Sequence, residues 1–137
     1  MKKELYWLTL ISLQTAVMFI PYVLNLFYKR GILGAFNYYE PKNPPLSDWA
    51  LKAKAAHQNS VENLVVLAPA TIAYVLLMGP EVRTGQGIVT SLQIYFCARM
   101  AHYMVYSFKF NFARTVFFLM GWFATINIIV QVLKLGV

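Results

Sequence analysis

Residues 47–77 read SDWALKAKAAHQNSVENLVVLAPATIAYVLL, a charged amphipathic start running into an apolar end. The stretch reads as a single helix. At ~1.5 Å per residue it extends ~46 Å, against a hydrocarbon core of ~30 Å, so roughly its first ten residues stand in headgroups or water. At about 100° per residue, Asp48, Lys52, Asn59 and Glu62 fall within about 80° of one another. Asn63 lies beside them, and Ala55, Val66, Ala70 and Ala73 continue the stripe. Glu62 and Asn59 sit near the depth where lipid begins, and a carboxylate there is costly unless it faces protein, a cation or a ligand. The stripe therefore reads as one wall of a polar site.

Composition places the chain among integral membrane proteins. Of 137 residues, 59% are hydrophobic, 16% aromatic and only 12% charged, with a mean hydropathy of +0.54, outside the range of ordinary soluble domains. A single cysteine, Cys97, rules out an internal disulfide and a cysteine-cluster metal site. The formal charge of +7 does not point to nucleic acid, because the basic residues lie between apolar spans and form no basic face. Anionic headgroups or an anionic ligand fit them better.

The fold expected is all-α: one domain, residues 1–137, forming a bundle of four transmembrane helices at about 5–27, 48–78, 85–106 and 113–135. The first apolar run, from Leu5, is too long for a signal peptide and lacks a small-x-small cleavage site. Tyr28-Lys29-Arg30-Gly31 is expected to end it, and residues 31–46, GILGAFNYYEPKNPPL, to form a loop. Tyr38 and Tyr39 there read as interfacial anchors.

The loop side carries Lys29, Arg30, Lys42, Lys52, Lys54, Lys109 and Arg114, against Lys2, Lys3, Arg83 and Lys134 opposite. Seven against four puts the long loop in the cytoplasm and both termini outside.

The third helix holds a second constellation. Arg99, His102 and Tyr106 share one face at i, i+3, i+7, with Tyr95 and Leu92 extending it and Cys97 turned away. Arg99 needs a partner, and Glu62 on the preceding helix is the intramembrane acid at comparable depth. Two readings stay open: a structural Glu62–Arg99 pair pinning two helices, or a ligand site shared by both, with Asn59, His102 and Tyr106 as further donors. Arg114 and Thr115 open the last helix, where free N–H groups and the helix dipole favour an anion. With Lys52 and Arg30 at the same level, this mouth suits a molecule bearing carboxylates, which arginine grips in a fork. Arg114 also reads as a plain interfacial anchor.

Other polar residues have structural readings. His57 lies off the stripe and is expected to hydrogen-bond a neighbouring helix. Asn127 and Gln131 are expected to bond across helices and Gly121 to permit close packing. No histidine or cysteine stands at metal-ligand spacing to His57, so no metal is expected.

Taken together, KAxxAHxNxxEN over the second helix, ARxxHxxxY in the third and Arg114-Thr115 opening the fourth resemble the MAPEG family, the membrane-associated proteins in eicosanoid and glutathione metabolism. The likeness covers essentially the whole chain and is nearest the bacterial branch, implying a bacterial inner membrane. It implies a homotrimer binding glutathione between subunits, with Asn59 and Glu62 on its amino and carboxyl ends and Arg99, His102 and Tyr106 lining the pocket. It also implies Arg114 beside the thiol, Thr115 where some members have an assisting serine, and a basic ligand from the first helix for which Lys29 and Arg30 are both candidates, Arg30 being taken as the site residue. Gln58 departs from the pattern where better-studied members have arginine, and Phe118 where some relatives have tyrosine.

Three functions follow from these readings. The first is a glutathione-dependent transferase or peroxidase acting on a lipophilic electrophile or lipid hydroperoxide. The second is a non-catalytic member that binds lipid or glutathione, which Gln58 and Phe118 favour. The third, a small four-helix exporter, fits poorly, because the first span is read as holding no acid.

Overall fold

The computed structural model describes residues 2–36, 44–79 and 85–135. Helices α1 (Lys3–Val17), α2 (Ile20–Phe36), α3 (Asp48–Met78), α4 (Gln86–Ser107) and α5 (Asn111–Leu135) account for nearly all of them, without a strand among the described residues. α1 and α2 together make one broken span, so the chain is a four-helix membrane bundle.

The break corrects the expectation of one helix ending near Phe27. Pro21 has no N–H to return to the preceding turn, and Met18 N bonds Thr15 O at 3.3 Å in a tightened turn. Tyr103 of α4 donates its hydroxyl to Met18 O at 2.9 Å, satisfying a carbonyl freed by the break. Beyond it, α2 runs to Arg30 and breaks at Gly31, whose φ of +69° and ψ of 170° are non-helical, where the first helix was expected to end; a further helical stretch then continues to Phe36. The loop is therefore shorter than residues 31–46. Tyr38, Tyr39, Lys42 and Arg83 lie outside the described residues.

Pro69 sits inside α3, a breaker that reading 47–77 as one helix passes over, yet the helix continues through it. Membrane helices tolerate proline where neighbouring groups or a local adjustment of the turn re-satisfy the freed carbonyl. Three spans (residues 3–36, Asp48–Met78 and Phe112–Leu135) are apolar and long enough to cross a membrane; α4 is not among them. Instead α4 is enclosed: Ile88, Leu92, Tyr95, Ala98, Arg99, His102 and Tyr103 are all buried. A helix with so much of its surface against protein is less constrained to match lipid, and this one carries the polar groups on its buried face.

Two clusters hold the bundle. Ile11, Leu67, Tyr74, Ile88, Leu92, Tyr95, Ala124 and Ile128 pack α1, α3, α4 and α5 together, and Met18, Ala53, Ala56 and Tyr103 pack the break against α3 and α4. Between helices in lipid such contacts stabilise through close van der Waals packing, since lipid tails are as apolar as these side chains. Polar ties add register. Gln14 donates to Phe96 O at 3.2 Å, and Asn127 Nδ2 to Ser91 Oγ at 2.7 Å across α5 and α4, as expected. Tyr22 OH and His57 Nδ1 lie 2.9 Å apart, giving His57 its interhelical bond. Buried Asn25 clasps Ser47 with bonds of 3.1 and 3.0 Å, fixing α2 against the start of α3.

α4 ends in a Schellman turn. Lys109 N bonds Tyr106 O at 3.3 Å and Phe110 N bonds Val105 O at 3.0 Å, with Lys109 at φ +70°, the position glycine normally takes. The exposed Lys109 ammonium lies 3.4 Å from Asp48 Oδ2, tying this turn to the first residue of α3.

The first span does contain an acid, contrary to the reading that set the exporter aside. α1 begins at Lys3, so Glu4 lies in its first turn, 2% exposed, with Oε2 lacking a hydrogen-bond partner. The positive helix end favours a carboxylate there.

Candidate functional site

The polar stripe of α3 faces α4 and the start of α5 across a cleft of about 490 Å³. α3 supplies Ala55, Gln58, Asn59 and Glu62; α4 supplies His102 and Tyr106; α5 supplies Arg114, Thr115 and Phe118. Six of the nine residues read from sequence as site residues thus line one cavity. A narrower lobe of about 190 Å³ adjoins it, sharing Ala55, Tyr106 and Arg114 and adding Lys52.

Arg99 is brought close but does not line the cleft. It is 2% exposed, and its Nη1 donates to Asn59 Oδ1 at 2.9 Å. The guanidinium lies between the rings of Tyr95 and Phe118, 5.1 and 5.4 Å from their centroids. Cation–π contact offsets part of the cost of burying the charge, and Nε and Nη2 have no hydrogen-bond partner. Arg99 forms no ion pair with Glu62, which sets aside the first of the two readings, the pinning pair: its partner is an amide. Glu62 is exposed and instead accepts from Gln58 Nε2 at 3.4 Å, one turn away.

The Arg99 bond fixes what Asn59 can offer. Its oxygen accepts from Arg99 and, at 3.5 Å, from Asn63 Nδ2, leaving the NH₂ group for a ligand. His102 is also 2% exposed, with Nδ1 sealed and unpartnered, so Nε2 is the nitrogen it can present. Its ring stands edge-on to Tyr106 at 5.6 Å, and the Arg114 guanidinium stacks on the other side of the site over Tyr106 at 5.0 Å. Among the described residues Glu62 is the one acid lining the cleft and Arg114 the one permanent cation. Such a donor-rich cavity with a single carboxylate suits a ligand bearing an ammonium group and several acceptor oxygens.

In the single chain Arg30 lines neither cavity; its Nε donates to Pro44 O at 2.9 Å. One expectation needs correction. Arg114 and Thr115 do not supply free N–H groups at a helix end. α5 starts at Asn111, and Arg114 N already donates to Phe110 O at 3.0 Å, so the side chain is what Arg114 contributes.

Gly121 escaped the sequence reading as a site residue. A Cβ there would stand 3.1 Å from Arg99 Nε and 3.4 Å from Cζ, so the missing side chain makes room for the guanidinium. A signal existed: Arg114, Phe118 and Gly121 are spaced i, i+4, i+7, one face of α5. Cys97 is exposed, on the outside of the bundle. Among the described residues, no group of three or more His, Cys, Asp or Glu could hold a metal ion.

A bundle of membrane helices whose α4 carries polar side chains to a cleft defines a helical, multi-pass membrane protein. The MAPEG family model matches residues 5–134, nearly the whole chain, and the protein belongs to that family, whose members generally use glutathione. No curated protein and no solved structure matches it.

Proposed function

We propose that the cleft binds glutathione and activates its thiol for attack on a lipophilic electrophile or lipid hydroperoxide, making the protein a membrane glutathione transferase or peroxidase. The observation carrying this is the convergence of Asn59, Glu62, His102, Tyr106, Arg114 and Thr115 on one cavity. In this reading Glu62 holds the ammonium end, and the Asn59 amide, His102 and Tyr106 hold acceptor oxygens. Arg99 acts from behind by fixing Asn59, and Arg114 lies beside the sulfur with Thr115 assisting. A free thiol ionises near pH 8.5, so only a few per cent is thiolate at neutral pH. Lowering that value by about two units corresponds to ~2.7 kcal/mol of preference for the anion, within reach of one guanidinium and a hydroxyl in a partly dry site. With an electrophilic carbon the thiolate forms a C–S bond as the leaving group departs, and the proton lost from sulfur goes to solvent or to the leaving group. With a hydroperoxide it attacks the terminal oxygen, breaking the O–O bond to give the alcohol and glutathione sulfenic acid, which a second glutathione converts to the disulfide with release of water.

Glu62, Gln58 and Thr115 are exposed in the single chain, which supports a homotrimer with the ligand between subunits and Arg30 of a neighbouring copy as a further basic group. We also place both termini on the periplasmic side of a bacterial inner membrane, from the distribution of lysine and arginine.

Calorimetry of glutathione binding to the detergent-solubilised protein and to Glu62→Gln tests the reading, together with the ultraviolet thiolate signal. Binding that weakens at least about tenfold in Glu62→Gln is expected; no binding, or no thiolate on binding, would refute it. A second reading, a non-catalytic binder of lipid or glutathione, is favoured by Gln58 and Phe118, both of which line the cleft. Binding without turnover of any electrophile, equal in wild type and Arg114→Ala, would establish it.

A further inference from the structure

The lobe beside the cleft holds two cations, Lys52 and Arg114, and among the described residues no acid lines it. Among the described residues neither cation forms an ion pair. The natural partner of Lys52 is Asp48, one turn earlier on α3, but Asp48 is held by Lys109 at 3.4 Å. Arg114 lays its guanidinium over the Tyr106 ring, which leaves its in-plane N–H groups uncommitted. Lys52 is itself half-buried, and two unpaired cations lining one small cavity repel one another until an anion enters.

The position of the lobe says where that anion comes from. Lys52 is in the second turn of α3 and Arg114 in the first turn of α5. Around this end Trp49, Phe108, Phe110 and Phe112 are 41%, 64%, 63% and 84% exposed, the pattern of an aromatic belt at the headgroup level. The remaining wall is apolar, formed by Leu51, Val105 and Phe110. Basic pockets between membrane helices at this depth suit lipid headgroups.

We propose that this lobe seats the phosphate of an anionic lipid, bridged by Lys52 and Arg114, with its glycerol and chains leaving over Leu51, Val105 and Phe110. The seat goes beyond the glutathione site and needs no ligand there. Because Arg114 borders both cavities, the lipid stands where it is felt in the cleft.

The test follows thermal unfolding of the full-length detergent-solubilised protein by tryptophan fluorescence. Dioctanoyl phosphatidylglycerol, dioctanoyl phosphatidylcholine and inorganic phosphate are titrated separately. Lys52→Gln is compared with Lys54→Gln, which removes the same charge from an exposed position outside the lobe. Phosphatidylglycerol is expected to raise the midpoint, with its half-saturating concentration about tenfold higher in Lys52→Gln and within about twofold of wild type in Lys54→Gln. Equal losses in both variants would reduce the effect to surface charge and overturn the proposal, as would equal stabilisation by phosphatidylcholine. Inorganic phosphate acting at the same concentration as phosphatidylglycerol would overturn the lipid as its source. Lys52→Met, which keeps the apolar stem, answers the same question should Lys52→Gln not fold.

Discussion

Arg99 Nη1 and Asn59 Oδ1 meet at 2.9 Å although 40 positions separate them in the chain. The bond joins α4 to α3 behind the cleft and commits the Asn59 oxygen, which leaves the NH₂ of this cleft-lining residue for a ligand. It makes Arg99 a positioning residue: the guanidinium sets the polarity of a neighbour without reaching the ligand.

Arg99→Met should therefore separate stability from binding. The substitution loses one charged hydrogen bond but also removes a buried cation with two unpartnered nitrogens, so the thermal midpoint is expected to hold or rise. Glutathione affinity should fall about tenfold as Asn59 becomes free to rotate. A fall in stability with affinity intact would show that Arg99 serves only as a pin.

Gly121→Ala tests the seat of that guanidinium. A Cβ at 3.1 Å from Arg99 Nε forces the side chain to shift, and the expected cost is about 1 kcal/mol despite the gain in helix propensity. In an Arg99→Met background the cost should vanish. A double-mutant cycle by chemical or thermal unfolding gives the coupling directly, and strict additivity would be the contrary result.

Lys109→Gly is expected to stabilise the protein. Lys109 holds φ +70° at the glycine position of the turn that ends α4, and relief of that conformation is worth about 1 kcal/mol. The exposed ion pair with Asp48 that is lost contributes less. Asp48→Asn should accordingly leave the midpoint nearly unchanged, while Lys109→Gly raises it; the reverse order would mean that the ion pair dominates.

Arg114→Lys keeps a positive charge but loses the planar group that lies over Tyr106 at 5.0 Å. The thiolate signal with bound glutathione should drop about tenfold, and further in Arg114→Ala. Equal signals in all three proteins would remove Arg114 from the sulfur.

Composition and periodicity made the membrane bundle legible, because apolar runs near the span of a bilayer have few other stable destinations. The α3 stripe and the i, i+3, i+7 set of α4 were legible for the same reason: helical spacing alone decides which residues share a face. The break after Val17 was harder to place. Pro21 signals it, but whether a proline ends a helix, kinks it or is absorbed depends on what meets the freed carbonyls. Tyr103 meets one at Met18, whereas α3 runs straight through Pro69.

The sequence by itself determined the class of the molecule, the helices that carry its polar groups and the faces on which those groups lie, since each follows from local geometry and from solvation. Tertiary structure alone decided the partners. That Arg99 bonds an amide and not Glu62, that Gly121 makes its seat, and that Lys109 takes Asp48 from Lys52 all depend on how four helices rotate and slide against one another. Many side chains jointly fix that packing, and no single helix records it.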